Sequence, residues 1–458
     1  MSYALLLKST RGTERDRVED GTIPARMATP PRAAGEARPS LLRAIGRFDL
    51  TAAVVNGVIG SAIFGMPSML AGLTGAWSPL ACLAAGLGVL TIVLCFAEVA
   101  SRFREAGGPY LYVREAFGPA LGFQAGWLTL WVRLTAIAAN LNIFVEYLAR
   151  LLPGAAGPNG RLLTMAAVVV PITVLNLLGV RQAAWAVDAF TVAKLAPLLI
   201  LVLIGLPAIR AETLATQAVP APDWTHAILL LMFAYGGFES PLIPAGEARD
   251  PRRDTGFALL VAMAVVAGVY MLVQLVIVGV LPHAVDAKAP VAAAFARLLG
   301  PAGVVLASLG AMVSVWGYCT GNVLQGPRLL YSMAERGELP SILARVHPRF
   351  RTPDASIVAF AAGAYALAAA GTFESAATIS AIVRLLTYGL TCAAVPVLRR
   401  RGTVEAPGFR IPAAGLVTLA AVGFCLWLLA TRSFAQTWLL LGLMALGWAL
   451  KAMTTRRR

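Results

Sequence analysis

The stretch Asn56-Gly57-Val58-Ile59-Gly60-Ser61-Ala62-Ile63-Phe64-Gly65-Met66-Pro67 interrupts an otherwise apolar run near the start of the chain. Glycine admits non-helical dihedrals and proline withholds a backbone donor, so a helix can unwind here. At membrane depth, unwound backbone is tolerated only where it is buried or lines a cavity. Taken alone, the stretch has an ordinary alternative: a kinked helix packing small residue against small residue.

Whether this break lies in a membrane is decided by the rest of the chain. Of 458 residues, 58% are hydrophobic and 13% charged, and the mean hydropathy is +0.74. Ordinary soluble domains are about 45–50% apolar and about 25% charged. A spanning helix needs about 20 apolar residues to cross about 30 Å of hydrocarbon. From Phe48 onward twelve such runs are predicted, at 48–69, 78–101, 119–148, 162–180, 186–209, 224–247, 256–281, 301–330, 355–372, 376–398, 411–431 and 435–452. A soluble enzyme is excluded, and with it a nucleic-acid-binding reading of the net charge of +15.

That charge follows topology. With a cytoplasmic N-terminus, 29 Lys/Arg fall in inside segments and 6 in outside loops, which predicts that both termini are cytoplasmic. The three remaining Lys/Arg, Arg133, Lys194 and Arg384, fall inside spans. Residues 1–47, with nine Lys/Arg and five Asp/Glu among many Pro and Gly, read as a disordered tail. Met1 and Met27 both serve as candidate starts, and Leu5-Leu6-Leu7 is too short for a signal-peptide core. Cys82, Cys95, Cys319, Cys392 and Cys425 lie in apolar runs without a CxxC, and His226, His283 and His347 are scattered. Neither set points to metal or disulfide chemistry.

The sixth run carries a second break, Phe233-Ala234-Tyr235-Gly236-Gly237-Phe238-Glu239-Ser240-Pro241. An offset of five spans gives the two breaks opposite orientation, as an inverted repeat of five plus five helices requires. Paired interrupted spans in the two halves are the best sequence pointer to a secondary transporter's binding site. Free N–H groups where each half-helix starts attract a carboxylate, and orphan carbonyls where each preceding half ends accept from an ammonium.

With these residues the chain resembles the amino acid–polyamine–organocation transporter superfamily. Gly60-Ser61-Ala62-Ile63-Phe64-Gly65-Met66-Pro67 is similar to its first-helix motif. Phe233 to Asp254 resembles its sixth-helix pattern, and Pro327 to Ala334 with Leu339-Pro340 and Val346-His347-Pro348 its loop after the eighth helix. The resemblance implies an all-α membrane protein of the leucine-transporter-like fold, with inverted repeats at roughly 48–209 and 224–398 and extra helices at 411–452. It implies an amino acid held between the first and sixth spans, the carboxylate near the amides of Ser61, Ala62 and Ile63. The ammonium would lie near the carbonyls of Val58, Ile59, Phe233 and Gly236. Ala62 departs from the family's usual glycine.

Ionisable residues inside spans are functional candidates by default. Lys194 either snorkels to the inner interface or bridges the first and fifth spans. Relatives with a lysine there imply proton coupling or exchange in place of sodium symport. Glu239 has three readings: a proton or gating site, which is favoured, a ligand to a cationic substrate, or a structural partner. Arg133 either faces the substrate side chain, as a substrate-binding residue, or pairs with Glu239; the pair is favoured, because an unpaired buried charge is costly. Arg384 has no assignment. Trp316 and Tyr318, with Phe233 and Tyr235, form a candidate aromatic lid over the substrate.

The expectation is therefore a twelve-span permease of the bacterial inner membrane, with no cofactor and no covalent chemistry. Its ligands are amino acids, neutral ones favoured, with lipid around it and protons on the coupling reading. Cationic amino acids or polyamines are the alternative, and monomer and homodimer are both left open. A polytopic enzyme acting on lipid is disfavoured by the isolation of the acidic residues.

Overall fold

The computed structural model describes residues 46–103, 107–178, 183–239, 251–401 and 405–455. The expected tail lies outside the described residues except for its last two positions. So do Ser240, Pro241 and the residues after them as far as Asp250. The described residues contain helices and turns and no strand. In hydrocarbon every backbone N–H and C=O must be satisfied within the chain, and a helix does so within one segment.

The first break divides α1 (Arg47–Val58) from α2 (Ala62–Thr74). There follow α3 (Ser78–Ala100), the short α4 (Gly108–Phe117), α5 (Pro119–Leu148), α6 (Pro158–Leu178), α7 (Ala183–Gly205) and α8 (Ala211–Ala215). The second break ends α9 (Trp224–Ala234). Beyond it lie α10 (Pro251–Val280), α11 (Pro290–Glu335), α12 (Asp354–Ala370), α13 (Phe373–Arg401), α14 (Ala414–Ala430) and α15 (Phe434–Thr455). Where they fall on described residues, the expected apolar runs lie on helices. Seven helical stretches are long and apolar enough to cross a membrane, and four shorter apolar helices accompany them. Within α11, Gly300 at φ 65° and ψ −149° separates a preceding segment from the long apolar stretch.

Two features are those of a membrane protein rather than of a soluble one. Leu203, Leu416 and Leu419 stand about 70% exposed (72%, 72% and 69%). The polar residues of α5, including Gln124, Arg133, Asn140 and Asn142, are instead buried, the reverse of a soluble helix. α5 is the central post: it packs on α13, α11 and α12, while α10 packs on α3 and α1. The five cysteines are free and buried.

The short helix α4 is absent from the sequence expectation, which treated its residues as loop. It is held by its side chains: Tyr110 donates to Glu338 Oε2 at 2.9 Å, and Arg114 Nη1 reaches Glu338 Oε1 at 2.8 Å.

Candidate functional site

The two breaks meet. α1 ends at Val58, and the Ile59 amide still reaches back to the Val55 carbonyl at 2.9 Å. Ser61 is followed by the first turn of α2: its carbonyl takes the Phe64 and Gly65 amides at 3.0 Å, which leaves the amides of Ala62 and Ile63 as the early N–H groups with no carbonyl one turn before them. On the other side α9 ends at Ala234, and the chain turns through Tyr235, Gly236 and Gly237. Gly237 has φ +109°, and a Cβ there would lie 2.2 Å from the Gly57 carbonyl oxygen. Only glycine allows both this dihedral and this approach of one broken helix to the other.

The carbonyls freed by the breaks have acquired fixed donors. Lys194 of α7, wholly buried, donates through Nζ to the carbonyls of Asn56 at 2.9 Å and Ile59 at 2.8 Å. Its ammonium thus bridges α7 to the end of α1, and, buried on those two carbonyls, it does not reach outward to snorkel. The Tyr270 hydroxyl of α10 lies 3.0 Å from the Ala234 carbonyl and 3.3 Å from that of Val58. Arg384 of α13 donates through Nη1 to the Met232 and Phe233 carbonyls at 3.4 and 3.3 Å. Its guanidinium lies directly on Gly236, where a Cβ would fall 1.6 Å from Nη1.

Glu239 closes this arrangement. Its Oε2 accepts from the Tyr388 hydroxyl at 2.6 Å and from the Gly237 amide at 2.9 Å. Its Oε1 faces Arg384 Nη2 at 3.7 Å. The expected Arg133–Glu239 pair is therefore corrected: the partner is Arg384. The reason is packing, since α9 runs against α13 and the turn after it meets α13 side chains. Arg133 instead lies on the face of α5 toward α11, donating to Asn322 Oδ1 at 3.4 Å and Gln325 Oε1 at 3.3 Å.

The candidate aromatic lid is also rearranged. Tyr235 turns away, its hydroxyl donating to the Cys82 carbonyl at 2.8 Å and its ring stacking on Tyr270. Tyr318 lies against Gly60, close to Asn140 Oδ1. Trp316 is half-buried, and among the described residues no ring contact joins it to Phe233 or Tyr235. The ring that meets Phe233 is Phe373, edge-on at 6.1 Å. Phe373 also lines a cavity of about 570 Å³, together with Gly65, Ile143, Glu146, His226 and Glu374. Nothing in the sequence marks Phe373, because it opens α13 more than a hundred residues from the break it covers.

Several buried polar atoms around the breaks have no hydrogen-bond partner among the described residues: Ser61 Oγ, Asn56 Oδ1, Asn140 Oδ1 and Arg384 Nε. Buried polar groups are normally satisfied. A cluster of orphaned ones beside unwound backbone is what a polar ligand would complete. Those described residues hold no group of three or more His, Cys, Asp or Glu side chains able to bind a metal.

The sequence that builds this site has known relatives. The serine/threonine exchanger SteT of Bacillus subtilis is 26% identical over 407 residues, covering 87% of this chain and 92% of its own. The methylthioribose transporter of the same organism is 27% identical over 424 residues, covering 87% and 90%. Its branched-chain amino acid permease BcaP is 25% identical over 439 residues, covering 90% and 94%. The family model described as amino acid permease matches residues 45–446. Paired broken helices, apolar outer helices and a match over nearly the whole chain lead to one conclusion: this multi-pass membrane protein belongs to the amino acid permease family of the amino acid–polyamine–organocation superfamily.

Proposed function

We propose that this permease carries amino acids without a charged side chain across the cytoplasmic membrane, by alternating access around the breaks after Val58 and Ala234. On this reading the chain spans the membrane twelve times, as inverted repeats at roughly 48–209 and 224–398 plus two extra helices. Both termini are cytoplasmic, in keeping with the placement of Lys and Arg. The cavity lined by Phe373 then opens outward, and the Phe233–Phe373 pair is its floor. The substrate carboxylate meets the amides of Ser61, Ala62 and Ile63.

The observation that carries the reading is the direct contact of the two breaks, with Lys194 holding the end of α1. A fixed ammonium supplies there the positive charge that a bound sodium ion would otherwise bring to the carbonyls. The reading is therefore of sodium-independent transport, by proton symport or by exchange. The names of two relatives, a serine/threonine exchanger and a branched-chain permease, support neutral side chains.

Uptake of a panel of radiolabelled amino acids into proteoliposomes tests the proposal, with and without an inward proton gradient and with sodium replaced by choline. Sodium-independent uptake of a neutral amino acid is expected, driven by the proton gradient or by preloaded amino acid. If no amino acid moves under any condition, the substrate class is wrong.

A further inference from the structure

We propose that the Arg384–Glu239 couple fixes the charge of the substrate's side chain, with the Arg384 guanidinium standing where a cationic group would otherwise bind. This rests on the breaks being the substrate site. It adds which residues choose among amino acids and by what means.

Three buried cations, Arg133, Lys194 and Arg384, surround the breaks, and Glu239 is the buried carboxylate beside them; the other buried carboxylates among the described residues, Glu98 and Glu338, are held by Arg102 and Arg399 and by Arg114. Lys194 is turned onto the α1 carbonyls and Arg133 onto the amides of α11. Arg384 alone combines contact with the second break, an ion pair and an unsatisfied N–H: its Nε has no partner. It donates to the Phe233 carbonyl, and the Phe233 ring meets Phe373 on the cavity wall. The guanidinium is thus bound to the backbone of the residue whose ring meets the cavity wall.

The charge balance follows. In a low-dielectric interior, like charges a few ångströms apart repel strongly. A zwitterion with an uncharged side chain adds no net charge to this cluster. A cationic side chain adds a further positive charge beside a guanidinium already matched by only one carboxylate. It also finds the Met232 and Phe233 carbonyls taken. The couple itself is close to neutral, so removing either member gives the site a defined sign.

The test is a charge cycle. Proteoliposomes carry wild type, Arg384→Met, Glu239→Gln, the double variant and Arg384→Lys. Unlabelled L-arginine, L-glutamate and L-leucine compete against whichever labelled neutral amino acid the wild type takes up. In Arg384→Met, inhibition by arginine relative to leucine is expected to strengthen at least tenfold. In Glu239→Gln, inhibition by glutamate relative to leucine is expected to strengthen at least tenfold. The double variant should return both ratios to within threefold of wild type, and Arg384→Lys should keep them. Ratios unchanged within twofold in both single variants would overturn the proposal. Where a variant's uptake is too slow, the same ratios are read by competition binding in detergent. If Arg384→Met does not fold, Glu239→Gln decides alone. A wild type that takes up no amino acid sinks the underlying reading of the site and is told apart from unchanged ratios.

Discussion

Two buried glutamates, each with an arginine on α13, show how differently one residue type can be used. Glu98, at the end of α3, is wholly buried and fully engaged. Arg399 reaches it twice, at 2.7 and 2.6 Å, Arg102 once at 3.0 Å, and the Ile411 amide once at 2.9 Å. Both oxygens are satisfied, and three separate segments must be in place to satisfy them. Among the described residues Glu239 has two hydrogen bonds, both on one oxygen, and its arginine stands off at 3.7 Å. Buried charge is stabilised only when geometry is good and the remaining lone pairs are met. Glu98 is thus a clasp. Glu239 is a group with spare capacity, set beside backbone that has already left the helix.

The largest expected effect breaks the clasp. Glu98→Ala strands two arginines and should cost about 3–5 kcal/mol, seen as a sharply lowered unfolding midpoint in detergent or loss of the monodisperse species. Glu239→Gln should shift stability by only about 1 kcal/mol, while lowering proteoliposome uptake at least tenfold. If the two variants melt alike, the distinction between clasp and working group fails.

Next in size is Lys194→Ala, which leaves the carbonyls of Asn56 and Ile59 without their donor. It should cost about 1–3 kcal/mol and abolish concentrative uptake. Gly237→Ala follows. A Cβ at φ +109° and 2.2 Å from the Gly57 oxygen should cost about 1–3 kcal/mol of backbone strain. Uptake should fall at least tenfold, while the midpoint drops less than in Glu98→Ala. The smallest effect is expected for the exposed pair Arg345–Asp354, bridged at 2.8 Å. Exposed pairs contribute little, so Arg345→Ala should leave both uptake and midpoint as in wild type.

What could be read in advance divides along physical lines. Helix positions were legible because hydrocarbon demands long apolar runs, and the breaks because glycine and proline mark them. Lys194 was legible because a lone lysine in an apolar run needs a local carbonyl cluster, and a broken helix supplies one. The partner of Glu239 was not legible. Arg133 and Arg384 look alike in sequence, and only the packing of α9 on α13 chooses between them. Phe373 was invisible for the same reason, as was Tyr270, whose hydroxyl serves two carbonyls from a helix that reads as uniformly apolar. The short α4 escaped because its stability comes from side chains meeting the far end of α11.

Tyr270 deserves its own consequence. Its hydroxyl owns one hydrogen, yet it lies within reach of two helix ends, at Ala234 and Val58. Whichever carbonyl holds that hydrogen, the other must wait. On the proposed alternating-access reading, α1 and α9 would part, and the hydroxyl could then keep one carbonyl while releasing the other. Such a pair of half-helices would be latched without being locked, with α10 as the holder of the latch.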